Sequence, residues 1–384
     1  MSPDVWSMKH FWLIGNCITN ECKSTACMVE YVSDAEMPRM GRACVQHGRG
    51  GMGCGKPTGD GRCDMFIKGF TYGFNGRRGM YRTEKAVLSM ERLAALGGDW
   101  AALAFTVLQD TFSSTVIRPD YRYTVTDRDI TFAVDTLHGL GLKVCLKPMV
   151  NCADGIWRAH ISFPEPETGR KNYWEEWFSS YTAFLCHYAE IAEETGCEMF
   201  CVGCEMLGTE AREKEWRSAI AEVRRIYHGP IVYNTNHGRE DGVAWWDAVD
   251  YIGTSAYYKV AQVPGDTLEH MMEAWEARKA SLKALSERNG GKQIMFMEIG
   301  CRSARGCAMM PYDFSHREFP YDEDEQANFY ESCLRSMWNE PWFAGFFWWD
   351  WYTYLPEAQQ EMGFSIAGKK AEKIVREWYA KNRS

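Results

Sequence analysis

Long apolar runs are missing from this 384-residue chain, and no stretch approaches the roughly 20 residues that a membrane-spanning helix needs. Met1–Gly15 mixes Asp4, Lys9 and His10 among its apolar side chains and lacks the core of an export signal. We therefore expect an intracellular, cytoplasmic protein without a membrane partner. Positive charge is also in deficit: 43 Lys and Arg face 52 Asp and Glu, for a net charge of −9. A chain with no general basic surface to displace counterions is not expected to bind nucleic acid or an anionic membrane. Histidine is scarce, at 9 residues, and no His-x-x-x-His pair or histidine–carboxylate cluster calls for a metal. No Gly-x-Gly-x-x-Gly turn follows the first strand-like run, since Phe74-Asn75-Gly76-Arg77-Arg78-Gly79 does not supply one, and this disfavours a dinucleotide fold. No cofactor is expected.

Cysteine is the abundant exception, with 15 residues. An odd total without an export signal favours reduced thiols. The N-terminal group Cys17, Cys22, Cys27, Cys44, Cys54 and Cys63 contains no Cys-x-x-Cys knuckle, so zinc is the minor alternative there. Cys145, Cys186 and Cys333 are taken as small buried hydrophobes, as is the Cys201–Cys204 pair within an apolar run.

Residues 1–64 are rich in cysteine and glycine and poor in periodic apolar pattern, so we expect a loosely structured arm. Met65, directly before the first strand-like run, is a candidate natural start. From there the pattern is regular. Apolar runs at 66–72, 100–107, 143–150, 198–204, 230–235, 249–256, 293–299 and 344–350 alternate with amphipathic helical stretches. One of these opens at Thr126-Asp127-Arg128-Asp129 as a capping box, and a short one is expected near 240–247. Hydrophobic content of 46% with 25% charged residues fits a globular domain. Eight βα units predict an α/β protein, a (β/α)8 TIM barrel over 65–384.

In such a barrel the C-terminal ends of all strands face one cavity. Two of the apolar runs end on an acid, Glu205 and Glu298, and two carboxyls are the minimum equipment for acid/base chemistry at a sugar acetal. The other strand ends offer Lys147 and Asn151, Asn234 and Asn236, Tyr257 and Tyr258, and Trp348, Trp349 and Asp350. Aromatic faces for pyranose rings, with amides, acids and a lysine for hydroxyls, suit an oligosaccharide.

Acids on strands four and seven are the hallmark of clan A retaining glycoside hydrolases, and the local sequences resemble glycoside hydrolase family 113, the β-mannanases. The resembling segments are Lys68-Gly69-Phe70-Thr71-Tyr72-Gly73, Leu146-Lys147-Pro148, Val202-Gly203-Cys204-Glu205-Met206, Ile252-Gly253-Thr254-Ser255-Ala256-Tyr257-Tyr258, Met297-Glu298-Ile299-Gly300 and Phe347-Trp348-Trp349-Asp350-Trp351. The resemblance implies Glu205 as acid/base, Glu298 as nucleophile, and cleavage of β-1,4-mannosidic bonds by double displacement. Most of clan A has Asn directly before the acid/base, whereas this chain has Cys204, so the partner of the sugar 2-hydroxyl stays open among Asn234, Asn236 and Asn151.

An ionised nucleophile needs donors, with Tyr257 or Tyr258 as candidates, while burial and the charge of Glu298 favour a protonated Glu205. Alternation sends neighbouring residues to opposite sides, so one of Trp348 and Trp349 is expected as a sugar platform. Trp157-Arg158, in a long loop, suits substrate contact and loop packing equally. His237 is expected to pack in its loop, Glu210 to mark a helix start, and Asp322 to Glu325 to form a solvated helix start. Two rival functions are the same barrel acting on another β-glycoside or transglycosylating, and a non-catalytic carbohydrate-binding barrel.

Overall fold

The computed structural model describes residues 66–316, 318–358 and 360–383. The arm expected over 1–64, with its cysteine group, lies outside the described residues. Eight parallel strands follow the eight apolar runs: β1 (Ile67–Tyr72), β2 (Trp100–Gln109), β3 (Lys143–Cys152), β4 (Met199–Cys204), β5 (Ile231–Asn236), β6 (Tyr251–Ser255), β7 (Ile294–Ile299) and β8 (Phe343–Trp351). Each pairs with its neighbour in sequence, and β8 returns to β1 with Ile67 opposite Gly345 and Phe70 opposite Trp348. The sheet therefore closes into a barrel, with its strands buried on both faces. A two-residue antiparallel segment, Ile117–Arg118, adds to the outer end of β2.

Most of the helices among the described residues begin where a short polar side chain satisfies a free backbone amide. α1 (Glu84–Ala94) starts on Thr83, whose hydroxyl accepts from Ala86 N. α2 (Asp127–Gly139) has the full capping box of Thr126 and Asp129. Asn172 opens α3 (Tyr173–Thr195), which Gly196 ends at φ 70°. α4 (Glu213–Arg224), α5 (Leu268–Arg288), α6 (Glu323–Met337) and α7 (Lys370–Tyr379) complete the outer layer.

The pattern predicts an eighth helix near 240–247, but two 3-10 turns stand there instead, Glu240–Gly242 and Trp246–Ala248. Trp245 stacks on Trp216 of α4 at 4.8 Å, and the Trp246 indole donates to Glu240 O at 2.8 Å. Both tryptophans are buried. Gly242 within the stretch disfavours a continuous helix, and two short turns set the tryptophans in separate packing sites.

Barrel closure leaves no room at Gly345, where φ is 123° and an added Cβ would lie 2.2 Å from Ile67 O on the adjoining strand. Gly345→Ala is expected to destabilise the protein by about 3 kcal/mol, a cost of backbone strain plus the clash. Denaturant unfolding measures it, and an unchanged midpoint would contradict this account of closure.

Candidate active site

Glu298 is the penultimate residue of β7, only 3% exposed, at the C-terminal rim of the barrel. Lys147, on β3 and fully buried, donates from Nζ to Glu298 Oε1 at 2.6 Å. The Cys204 thiol, from the end of β4, donates to the same oxygen at 3.2 Å, and the Tyr257 hydroxyl donates to Oε2 at 3.1 Å. Burial alone would push the Glu298 carboxyl up. The Lys147 ammonium, the Arg158 guanidinium and the donated hydrogen bonds outweigh burial and hold it below the ordinary glutamate range. Burial and the Glu298 charge keep both the Cys204 thiol and the Tyr257 phenol well above their usual values, so both remain donors.

Glu205 directly follows β4 at φ 57°, a left-handed conformation that costs a non-glycine residue about 1 kcal/mol or more. Its amide donates to Asn234 O at 2.7 Å. Its side chain, 8% exposed, receives two donors on Oε2: Arg158 Nη2 at 2.9 Å and the Trp157 indole at 3.2 Å. Here the balance falls the other way. Burial raises the Glu205 carboxyl, Arg158 lowers it, the Glu298 charge raises it again, and the net direction is up. Two glutamates on one rim are thus driven apart in acidity, Glu298 below and Glu205 above the ordinary glutamate range.

Arg158 links the assembly, donating also to Cys204 O at 3.0 Å and Asn151 Oδ1 at 2.7 Å. Asn234, within β5, donates to Cys204 Sγ and to Ser255 Oγ, both at 3.2 Å, from a fully buried position. Asn236 is buried nearby, and its Oδ1 has no hydrogen-bond partner among the described residues. The same holds for Asp350 Oδ1, whose carboxyl burial, Glu361 and Glu298 push well upward. Trp349, half-buried, packs edge-on against Phe74 at 4.6 Å, and Phe74 rests on Ala104, Met149 and Cys204.

Two expected site residues point elsewhere. Trp348 is 0% exposed and stacks on Tyr330 of α6 at 4.2 Å, because strand alternation turns it to the helix layer. Tyr258 turns the same way, donating to Glu240 and packing on Trp275. Glu210 is no surface charge: it is buried and accepts from the Tyr233 and Thr235 hydroxyls. Cys204, taken as core, touches the site, as do Trp157 and Arg158, for which the sequence left contact and packing open. Phe74 and Ser255 carried no signal of their own. No group of three or more His, Cys, Asp or Glu side chains suited to a metal occurs among the described residues.

The model of Glycoside Hydrolase Family 113 matches residues 70–369. The chain belongs to that family. Solved family 113 relatives agree along the whole barrel. The β-mannanase AaManA from Alicyclobacillus acidocaldarius, in complex with ManMIm, is 42% identical, with 82% of this chain and 97% of that one covered at a TM-score of 0.75. A family 113 β-1,4-mannanase is 36% identical, with 83% and 100% covered at 0.76. A β-glucuronidase from Faecalibacterium prausnitzii, 14% identical, with 82% of this chain and 49% of that one covered at a TM-score of 0.55, shares the fold alone. Among curated proteins no sequence matches. Family membership makes this chain a glycoside hydrolase, and no helix among its described residues is long and apolar enough to cross a membrane.

Lys147→Met removes the charge that opposes burial of Glu298. Its carboxyl then rises, so the acidic limb of the kcat/KM–pH profile should move to higher pH, with a loss of about a hundredfold at the optimum. An acidic limb that stays in place would contradict the role given to Lys147.

Proposed function

We propose that this family 113 enzyme hydrolyses β-1,4-mannosidic bonds in mannan or manno-oligosaccharides with net retention, using Glu298 as nucleophile and Glu205 as acid/base. The observation that carries the reading is the division of acidity between the two carboxyls on β4 and β7. Glu298, held ionised, attacks the anomeric carbon, while Glu205 gives its proton to the departing glycosidic oxygen as the carbon–oxygen bond breaks. Glu205, now a carboxylate, takes a proton from water, whose oxygen attacks the same carbon and frees Glu298. Retaining action needs the two carboxyls roughly 5 Å apart, without room for a water between nucleophile and sugar. Arg158 and Trp157 hold Glu205 in place and stabilise it when it is charged in the second step. The mannoside preference follows from the β-mannanases that resemble the chain at 36–42% identity. The intracellular location expected from the sequence makes imported oligosaccharides, rather than polymer, the natural substrate, and Asn151, Asn236, Trp349 and Asp350 line the sugar site. The structural signs that support action over mere binding are the strain at Glu205 and the buried charge at Glu298, neither of which a binding surface needs.

The pH profile has two limbs: activity falls at low pH as Glu298 gains a proton, and at high pH as Glu205 loses one. Purified protein incubated with manno- and cello-oligosaccharides should cleave the former. Glu298→Ala should abolish turnover, and added azide should restore part of it with an α-glycosyl azide as product. A protein that cleaves no mannoside would sink the proposal, and a β-glycosyl azide would point to another mechanism.

A further inference from the structure

The connection between β7 and α6 is long for a barrel loop, and loops of that length without regular structure are uncommon unless they serve function. This one is held firmly. Arg302 donates to Asp313 O at 2.9 Å, to Asp313 Oδ2 at 2.7 Å and to His316 O at 2.8 Å, and the ion pair is buried on both sides. Glu325, expected as part of a solvated helix start, is instead buried and accepts from Gly306 N at 2.7 Å and Ala308 N at 3.1 Å. Ala308 O in turn accepts from Val260 N on the neighbouring loop at 3.0 Å.

Beside that ion pair stands Tyr312, 54% exposed. An isolated exposed tyrosine needs no explanation. Tyr312, however, is backed by His237 from the loop after β5, with ring centroids 6.1 Å apart and planes 20° from parallel. His237 meets Tyr257 edge-on at 6.5 Å, and Tyr257 donates to Glu298. Burial lowers the imidazole's affinity for a proton, so this second ring is neutral. Its Nδ1 has no hydrogen-bond partner among the described residues. A pair of stacked, uncharged rings therefore runs from the nucleophile's own donor out to solvent, on the β5–β7 arc of the rim, which adjoins the β8–β1 arc that carries Trp349 and Phe74.

We propose that Tyr312, backed by His237, is the platform for a further sugar ring of the substrate chain, beyond the ring that lies over Glu298. A pyranose presents a face of C–H bonds that packs on an aromatic ring, with its hydroxyls at the edge free to meet polar groups. The loop anchored by Arg302 and Glu325 sets the ring in place before binding, which limits the entropy lost on association. The occupant named here rests on the mannoside reading of the preceding subsection.

The test is the dependence of kcat/KM on chain length, from mannobiose to mannohexaose, in the wild type, Tyr312→Ala and Tyr312→Phe. The ratio of kcat/KM for mannohexaose to that for mannobiose should fall about tenfold in Tyr312→Ala and hold in Tyr312→Phe, which keeps the ring. An unchanged ratio in Tyr312→Ala, including one produced by an equal loss at every length, would overturn the platform. If the wild type cleaves no mannoside, the mannanase reading fails by itself. Calorimetric titration of Glu298→Ala protein, with and without Tyr312→Ala, using mannohexaose and cellohexaose then decides the platform. Weaker binding of either sugar without the ring supports it, and equal binding of both, or binding of neither, overturns it.

Discussion

Lys147 and Glu298 face each other at 2.6 Å in a place almost closed to water. Alone, each would be expected to neutralise, since an uncompensated charge in such a setting is costly. Together each keeps the other charged, and that shared charge orders its surroundings. Burial, and after it the Glu298 carboxylate, raises the Cys204 thiol and the Tyr257 phenol, so both stay protonated and donate to Glu298. With burial, that carboxylate also raises Glu205, the group proposed as the acid. Loss of the ion pair would remove the charge to which the Cys204 thiol and the Tyr257 hydroxyl donate.

The second acid is governed by the backbone as much as by charge. A left-handed turn at Glu205 directly after β4 takes the residue out of the strand's alternation, and the Asn234 carbonyl fixes its amide. Arg158 then ties Glu205, Cys204 and Asn151 into one unit with three of its nitrogens. A guanidinium this close would ordinarily make a carboxyl stronger. Burial and the neighbouring carboxylate prevail, so Glu205 lies above the ordinary glutamate range even with Arg158 holding it in place.

The barrel was legible because its causes are local and periodic. Eight apolar runs, a capping box at Thr126 and the acids closing β4 and β7 can all be seen in one dimension. Orientation was harder. Trp348–Trp349 and Tyr257–Tyr258 are consecutive pairs, and alternation says that one of each faces the cleft without saying which. Long-range partners left less trace: Arg158 is separated from Glu205 by a whole helix and strand, and nothing periodic connects them. Charges were the most misleading signal. Glu210 and Glu325 lie where helix-start surface acids belong, yet both are buried because hydroxyls or loop amides need their oxygens. The eighth helix failed for a related reason, as the pattern near 240–247 marks buried side chains but cannot show that Trp245 is drawn toward α4.

The account depends on Glu298 being the ionised group that bonds to sugar. Incubation with 2-deoxy-2-fluoro-β-mannosyl fluoride slows the second displacement and traps that bond, so intact mass followed by peptide mapping tests it directly. The account predicts one added deoxyfluoromannosyl group per chain, carried on the peptide that contains Glu298. A label on the peptide containing Glu205, or inactivation without any covalent adduct, would contradict it.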